Sequence, residues 1–261
     1  MYEMFQDLRW AHITAGSIAL LLFWIPVAAP KGGRVHVRIG WAYAALMSVV
    51  VATALTMSGL AIATPLSIRH FSHVLSTEET ARFIAASRDA GIFLAYLGGV
   101  TLAAGWQGIG VLRTRNNPKA FRNWFSVGLN VAVMLAALFV LWRGISQGNG
   151  VFLGMSPVGL FVSGGNLRYL LRGPQSKMSW WYDHLGAMIG TGIAGYTAFI
   201  VFGGVRIFPA LAHTRFYLLF WVMPTLIGVP AIFLTVAYYR RKFHEDGGVK
   251  KPSNPQVKAA F

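Results

Sequence analysis

The chain has 261 residues, 55% of them hydrophobic and only 12% charged, about half the charged share of an ordinary soluble domain. It has no cysteine, which excludes disulfides, thiolate nucleophiles, iron–sulfur clusters and cysteine-based zinc sites. The net charge of +15 would suggest nucleic acid in a soluble protein, but here the cations lie between apolar runs long enough to cross a bilayer, so they report topology instead.

Seven apolar segments follow one another: Trp10–Ala29, Val37–Leu60, Ala90–Leu112, Trp124–Gly144, Val151–Leu171, His184–Arg206 and Phe216–Tyr239. The leading "MYEMFQDLR" is acidic and the first run is long for a signal sequence, so the first segment is expected to be a retained helix. Between the second and third segments, "STEETARFIAASRDAG" reads as a short amphipathic surface helix opened by a Ser76/Glu79 capping signal. Pro157 and "SGGN" (163–166) make the fifth segment the weakest, expected to be kinked or partly irregular. Gly150/Gly154 and Gly186/Gly190 are spaced for close helix contact. The expected architecture is all-α, a polytopic bundle over residues 1–239 with a basic tail over 240–261.

Charge placement orients the bundle. The loops at 31–38, 113–122 and 168–177 and the C-terminal tail carry 16 of the 23 cations, and the opposite side carries 7. The positive-inside rule then places the C-terminus in the cytoplasm and the N-terminus outside. Trp10, Trp41, Trp124, Trp142, Trp180 and Trp181 lie near segment ends, where indoles favour the interface. Trp24 and Trp221 lie deeper and call for packing partners. The basic loops "RTRNNPKAFRNW" and "LRYLLRGPQSK" are suited to anionic headgroups, and no nucleic-acid fold is visible.

No carboxylate, lysine or arginine occupies the middle of a segment, so the histidines carry the chemical interest. His36 and His184 fall at the basic end. His36, Gly40, Tyr43 and Met47 share one helix face, and His184, Met188, Thr191 and Gly195 share another. Side by side, such helices offer His–His or His–Met ligands to a b-type haem, with Gly40 admitting the macrocycle and Arg34 and Arg38 pairing with propionates. The ordinary alternative is a pair of interfacial, hydrogen-bonding histidines. At the other end His12, His70, His73 and His213 form a second candidate set for copper or zinc, the "HFSH" spacing putting two imidazoles on one turn. Asn130, Gln107 and Asn166 suit hydrogen bonds between helices, and Tyr43, Tyr96 and Tyr196 suit either packing or a quinone or lipid cavity.

"HITAG" (12–16), "KGGRVHVRIGWAY" (31–43), "WWYDHLGAM" (180–188), "TAF" (197–199) and "WVMPTLIGVP" (221–230) resemble, in order and spacing, a family of bacterial multi-pass membrane proteins whose function is not established. The match touches the first two and last two spans. It implies a helical bundle and singles out His12, His36 and His184, and it supplies neither a reaction nor a cofactor. Three expectations follow: a small redox or cofactor-binding protein using His36 and His184; a non-enzymatic carrier or accessory subunit, partnered by another membrane protein or a second copy; and a metal binder at the outer histidines.

Overall fold

A computed structural model describes residues 1–115, 117–208 and 217–245. Seven helices are long and apolar enough to cross a membrane. They are α1 (Tyr2–Ala28), α2 (Arg34–Ala63), α3 (Thr77–Arg113), α4 (Trp124–Gln147), α5 (Gly150–Arg172), α6 (Ser179–Ala198) and α7 (Tyr217–Lys242). Each extends past its apolar segment at one end at least, because polar turns continue the helix into the interface, while α6 stops at Ala198, short of the expected Arg206. We call the end with the loops after α1, α3 and α5 the basic end.

The turns are legible in the residues. Gly33 N–H donates to the Pro30 carbonyl at 3.0 Å across Lys31 and Gly32, and Gly32 has φ +78°. That is the type II pattern, which favours glycine at its third position. Gly148, at φ +63°, ends α4, and Asn149 accepts from the N–H groups of Val151 and Phe152 to start α5. Ser76 and Glu79 close a reciprocal capping box.

The helix that box opens departs from the sequence reading. Instead of a separate surface helix, α3 runs unbroken for 37 residues, about 55 Å, well beyond a hydrocarbon core of about 30 Å. No proline or glycine interrupts residues 77–90, so nothing stops the helix. Its projecting turns cap α2, with Ser87 Oγ and Arg88 Nε donating to the carbonyls of Ala61 and Ile62, each at 3.2 Å.

α3 is the hub. It packs on α2, α4, α5 and α6, while α1 lies on α2 and α7 on α6. The main core gathers Phe93, Tyr96, Val133, Val140, Phe152 and Trp221. Trp221 is thereby accounted for, wedged against Phe93 and Phe202. Trp24 is 57% exposed, yet its indole N–H donates to the Tyr196 hydroxyl at 2.6 Å. The closest glycine contacts are not at the expected small-residue pairs: a Cβ on Gly154 or Gly190 would meet nothing, whereas one on Gly91 would meet the Ser58 carbonyl at 3.0 Å. The fifth span is one continuous helix, and the irregular stretch is a π-helical turn, Phe199–Gly204, ending the sixth.

Two carboxylates make cross-links at opposite ends. Asp89 on α3 pairs with Arg143 on α4, both side chains 28% exposed, and Gln147 donates to the other Asp89 oxygen at 2.9 Å. Asp89→Ala leaves the half-buried guanidinium without its counter-ion and is expected to cost about 1–3 kcal/mol, read as a lower unfolding midpoint in detergent. Asp89→Asn should recover part of the loss through the Gln147 bond.

At the basic end, Glu245 folds back on the start of α6. It accepts from Ser176 Oγ (2.7 Å), Tyr182 OH (3.0 Å) and the Met178 N–H (3.0 Å), so the first residues of the expected tail are docked. Burial alone would raise its pKa, but these donors and Arg240 outweigh it and hold the carboxyl below its ordinary value. A depressed carboxyl contributes stability above its unfolded pKa and loses it as pH falls through the folded pKa. Acidification should therefore release the segment and change the fluorescence of Trp181, which stacks on Tyr239 and Phe243. Glu245→Gln should abolish that transition.

Candidate functional site

His36 stands in the first turn of α2, three residues after Gly33. Its Nδ1 lies 3.0 Å from the Pro26 carbonyl, one of the last carbonyls of α1, which have no partner within their own helix. Lys31 Nζ shares that carbonyl at 3.0 Å. Because a carbonyl only accepts, His36 Nδ1 carries a proton, and in the neutral imidazole Nε2 is then the atom left with a lone pair. His184, in the second turn of α6, repeats the arrangement, with Nδ1 2.9 Å from the Gly108 carbonyl on α3.

The two rings lie edge to face where α2 and α6 begin, their centroids 6.3 Å apart and their planes at 72°. A metal held at ~2.0 Å from each of two imidazole nitrogens lies ~3 Å from each ring centre, so 6.3 Å between centres equals the separation of two imidazoles on opposite sides of one ion. A backbone bond at Nδ1 that fixes ring and tautomer is the usual support of a metal-bound histidine.

The surroundings follow the two helix faces read from the sequence. Met188, one turn below His184, packs against Ala19, Phe23, Tyr43 and Met47, and its sulfur lies 2.9 Å from where a Cβ on Gly108 would be. The Tyr43 and Thr191 hydroxyls are hydrogen-bonded at 2.8 Å, tying α2 to α6 beneath the histidines. A Cβ on Gly40 would meet nothing within 4 Å, and Arg34 and Arg38 are exposed. On the other side of α6 the Gln107 amide lies against Asp183, although neither its nitrogen nor its oxygen closes a bond of ordinary geometry.

The outer histidines are not assembled in the same way. His12 Nδ1 donates to the Val50 carbonyl at 3.0 Å, with Thr53 Oγ1 also at 3.0 Å. His70 packs edge-on against Tyr2, centroids 4.0 Å apart. Tyr2 precedes His12 by ten residues of continuous helix, about 15 Å along the axis, which keeps the two imidazoles apart. His73 is exposed, 3.8 Å from Glu79. His213 lies outside the described residues. Among the described residues no group of three or more His, Asp or Glu side chains could hold a metal ion.

Sequence reasoning missed the carbonyl partners. The Pro26 carbonyl had a signal, since Pro26 and Pro30 bracket the end of α1. The Gly108 carbonyl had none, because its role depends on how α3 and α6 pack.

Fold and site together define a polytopic α-helical integral membrane protein with paired imidazoles at its basic end. Comparison with protein-family models, characterised proteins and solved structures returned no match. The resemblance read from the motifs therefore gains no support from these comparisons.

Proposed function

We propose that this protein binds a redox cofactor in a bacterial inner membrane, C-terminus in the cytoplasm, with His36 and His184 as paired nitrogen ligands. The observation that carries the reading is the 6.3 Å imidazole pair with both Nδ1 atoms on backbone carbonyls. A b-type haem would use Nε2 of each ring, the space beside Gly40, and the exposed guanidiniums of Arg34 and Arg38 for its propionates. A copper ion would use the same two nitrogens with the Met188 thioether, a soft donor suited to the reduced ion. The bound group supplies one-electron chemistry. The chain supplies ligands, tautomer control and an apolar surround.

Absorption spectra of the purified protein, oxidised and dithionite-reduced, with metal analysis of the same sample, test this. A Soret band with sharpened reduced bands selects haem. Copper in proportion to protein without a Soret band selects the ion. A flat spectrum with no metal, after expression with haem and copper supplied, would overturn the reading.

A second reading, an accessory subunit, is favoured by α7. Only 6% of its most apolar window is buried within the chain, against 17–44% for the other spans. It predicts co-purification of a membrane partner, or a second copy, through that face.

A further inference from the structure

An apolar cleft of ≈ 350 Å³ lies between α1 and α7, floored by α6. Phe23, Trp24 and Val27 form one wall, and Met223, Ile227 and Ala231 line the other. Along the floor it runs from Ile189 to Ile200, eleven residues and about 16 Å, close to the ~15 Å that one leaflet contributes to the hydrocarbon core. Its two polar wall atoms are already paired: Trp24 Nε1 donates to Tyr196 OH at 2.6 Å, and that hydroxyl donates to the Leu20 carbonyl at 3.0 Å. Nothing in the cleft asks for a polar ligand.

Its mouth at the basic end is cationic. Val27, at the top of the α1 wall, has its carbonyl bound by Lys31 Nζ, so an ammonium stands at the rim. The other wall, α7, continues past Ala231 for about nine to eleven residues, about 14–16 Å, to Arg240, Arg241 and Lys242 at its end. Beside the end of α7 the rings of Trp181, Tyr239 and Phe243 cluster at the level where aromatic side chains meet headgroups. An apolar slot one leaflet deep under a rim of cations matches one kind of molecule.

We infer that this cleft is a binding site for an anionic phospholipid, one acyl chain lying along α6 and the headgroup held at Lys31 and the end of α7. The site is independent of the cofactor reading, because Phe23, which contacts both Tyr43 and Tyr196, stands between the cleft and the residues below the histidines.

The test uses the full chain in nanodiscs of phosphatidylcholine, with phosphatidylglycerol added in steps, followed by gentle release and native mass spectrometry. One phosphatidylglycerol should be retained per protein, at least tenfold in preference to phosphatidylcholine. Ala231→Phe fills the slot and should abolish retention. Ile227→Trp, at a position 66% exposed, gives the same test if the first variant fails to fold. Lys31→Gln should keep a bound lipid but lose most of the preference. Equal retention of the two lipids by the unaltered protein, retention unchanged in the filled-cleft variants, or displacement of the lipid by an uncharged quinone would each overturn the inference.

Discussion

Replacing either His36 or His184 by alanine is expected to abolish binding of the proposed cofactor, with an affinity loss above the 10–100-fold typical of removing only a ligand's supporting bond. The structural cost should be small. Each change also removes one hydrogen bond, to Pro26 or to Gly108, worth about 1 kcal/mol, so both variants should fold and show the spectrum of an empty bundle. His36→Gln separates the roles: its amide can still donate to the Pro26 carbonyl but offers no imidazole nitrogen. If the histidines serve only to cap α1 and to bridge α3 and α6, the glutamine variant will match the native protein in every readout. A ligand role predicts that the spectrum is lost while the unfolding midpoint of the cofactor-free protein is kept. Met188→Leu refines the result, since loss of copper with haem unaffected, or the reverse, identifies which group the site holds.

The sequence carried this pair a long way. The four-and-three spacing that put His36, Tyr43 and Met47 on one face, and His184, Met188 and Thr191 on another, is a property of any α-helix. Two long apolar helices starting at the same end of a bundle must bring those faces to one depth. That reasoning reaches the neighbouring imidazoles, while the Tyr43–Thr191 bond comes only from how α2 and α6 pack. It does not reach the Gly108 carbonyl, which depends on the closeness of α3 to α6, nor the separation of His12 from His70, which depends on α1 running unbroken from Tyr2. "HFSH" illustrates the limit. Its local spacing is suited to a metal, but the chain around it forms a loop, with Pro65–Ile68 a single 3-10 turn, and the two rings take different neighbours, Tyr2 and Glu79.

The fifth span shows a local weakness repaired from outside the helix. Pro157 has no N–H to give to Leu153, and Ser156 Oγ approaches that carbonyl at 3.2 Å instead. Two residues on, the Gly159 N–H has a partner outside its own helix. It donates to the Tyr96 hydroxyl at 2.8 Å, and that hydroxyl donates to the Met155 carbonyl at 2.8 Å, with the Ser156 carbonyl 3.1 Å away. A phenol from α3 thus bonds both a donor and an acceptor of the α5 backbone at the turn that Pro157 weakens. Glycine at 159 is required by this contact, because a Cβ there would stand 2.6 Å from the Tyr96 oxygen.

Tyr96→Phe should therefore be among the most damaging conservative changes in the chain. It strands a donor and an acceptor of α5 where no water reaches them, at roughly 1–3 kcal/mol for each unsatisfied group. The expected signature is a lower unfolding midpoint with accelerated amide exchange confined to residues 153–160. Gly159→Ala should produce the same local exchange by pushing the phenol out. Thr101→Val, which removes a hydroxyl bonded within its own helix on the same α3, should do neither. If Tyr96→Phe leaves exchange at Gly159 unchanged, α5 closes its own ladder across Pro157 and the tyrosine contributes only ring packing.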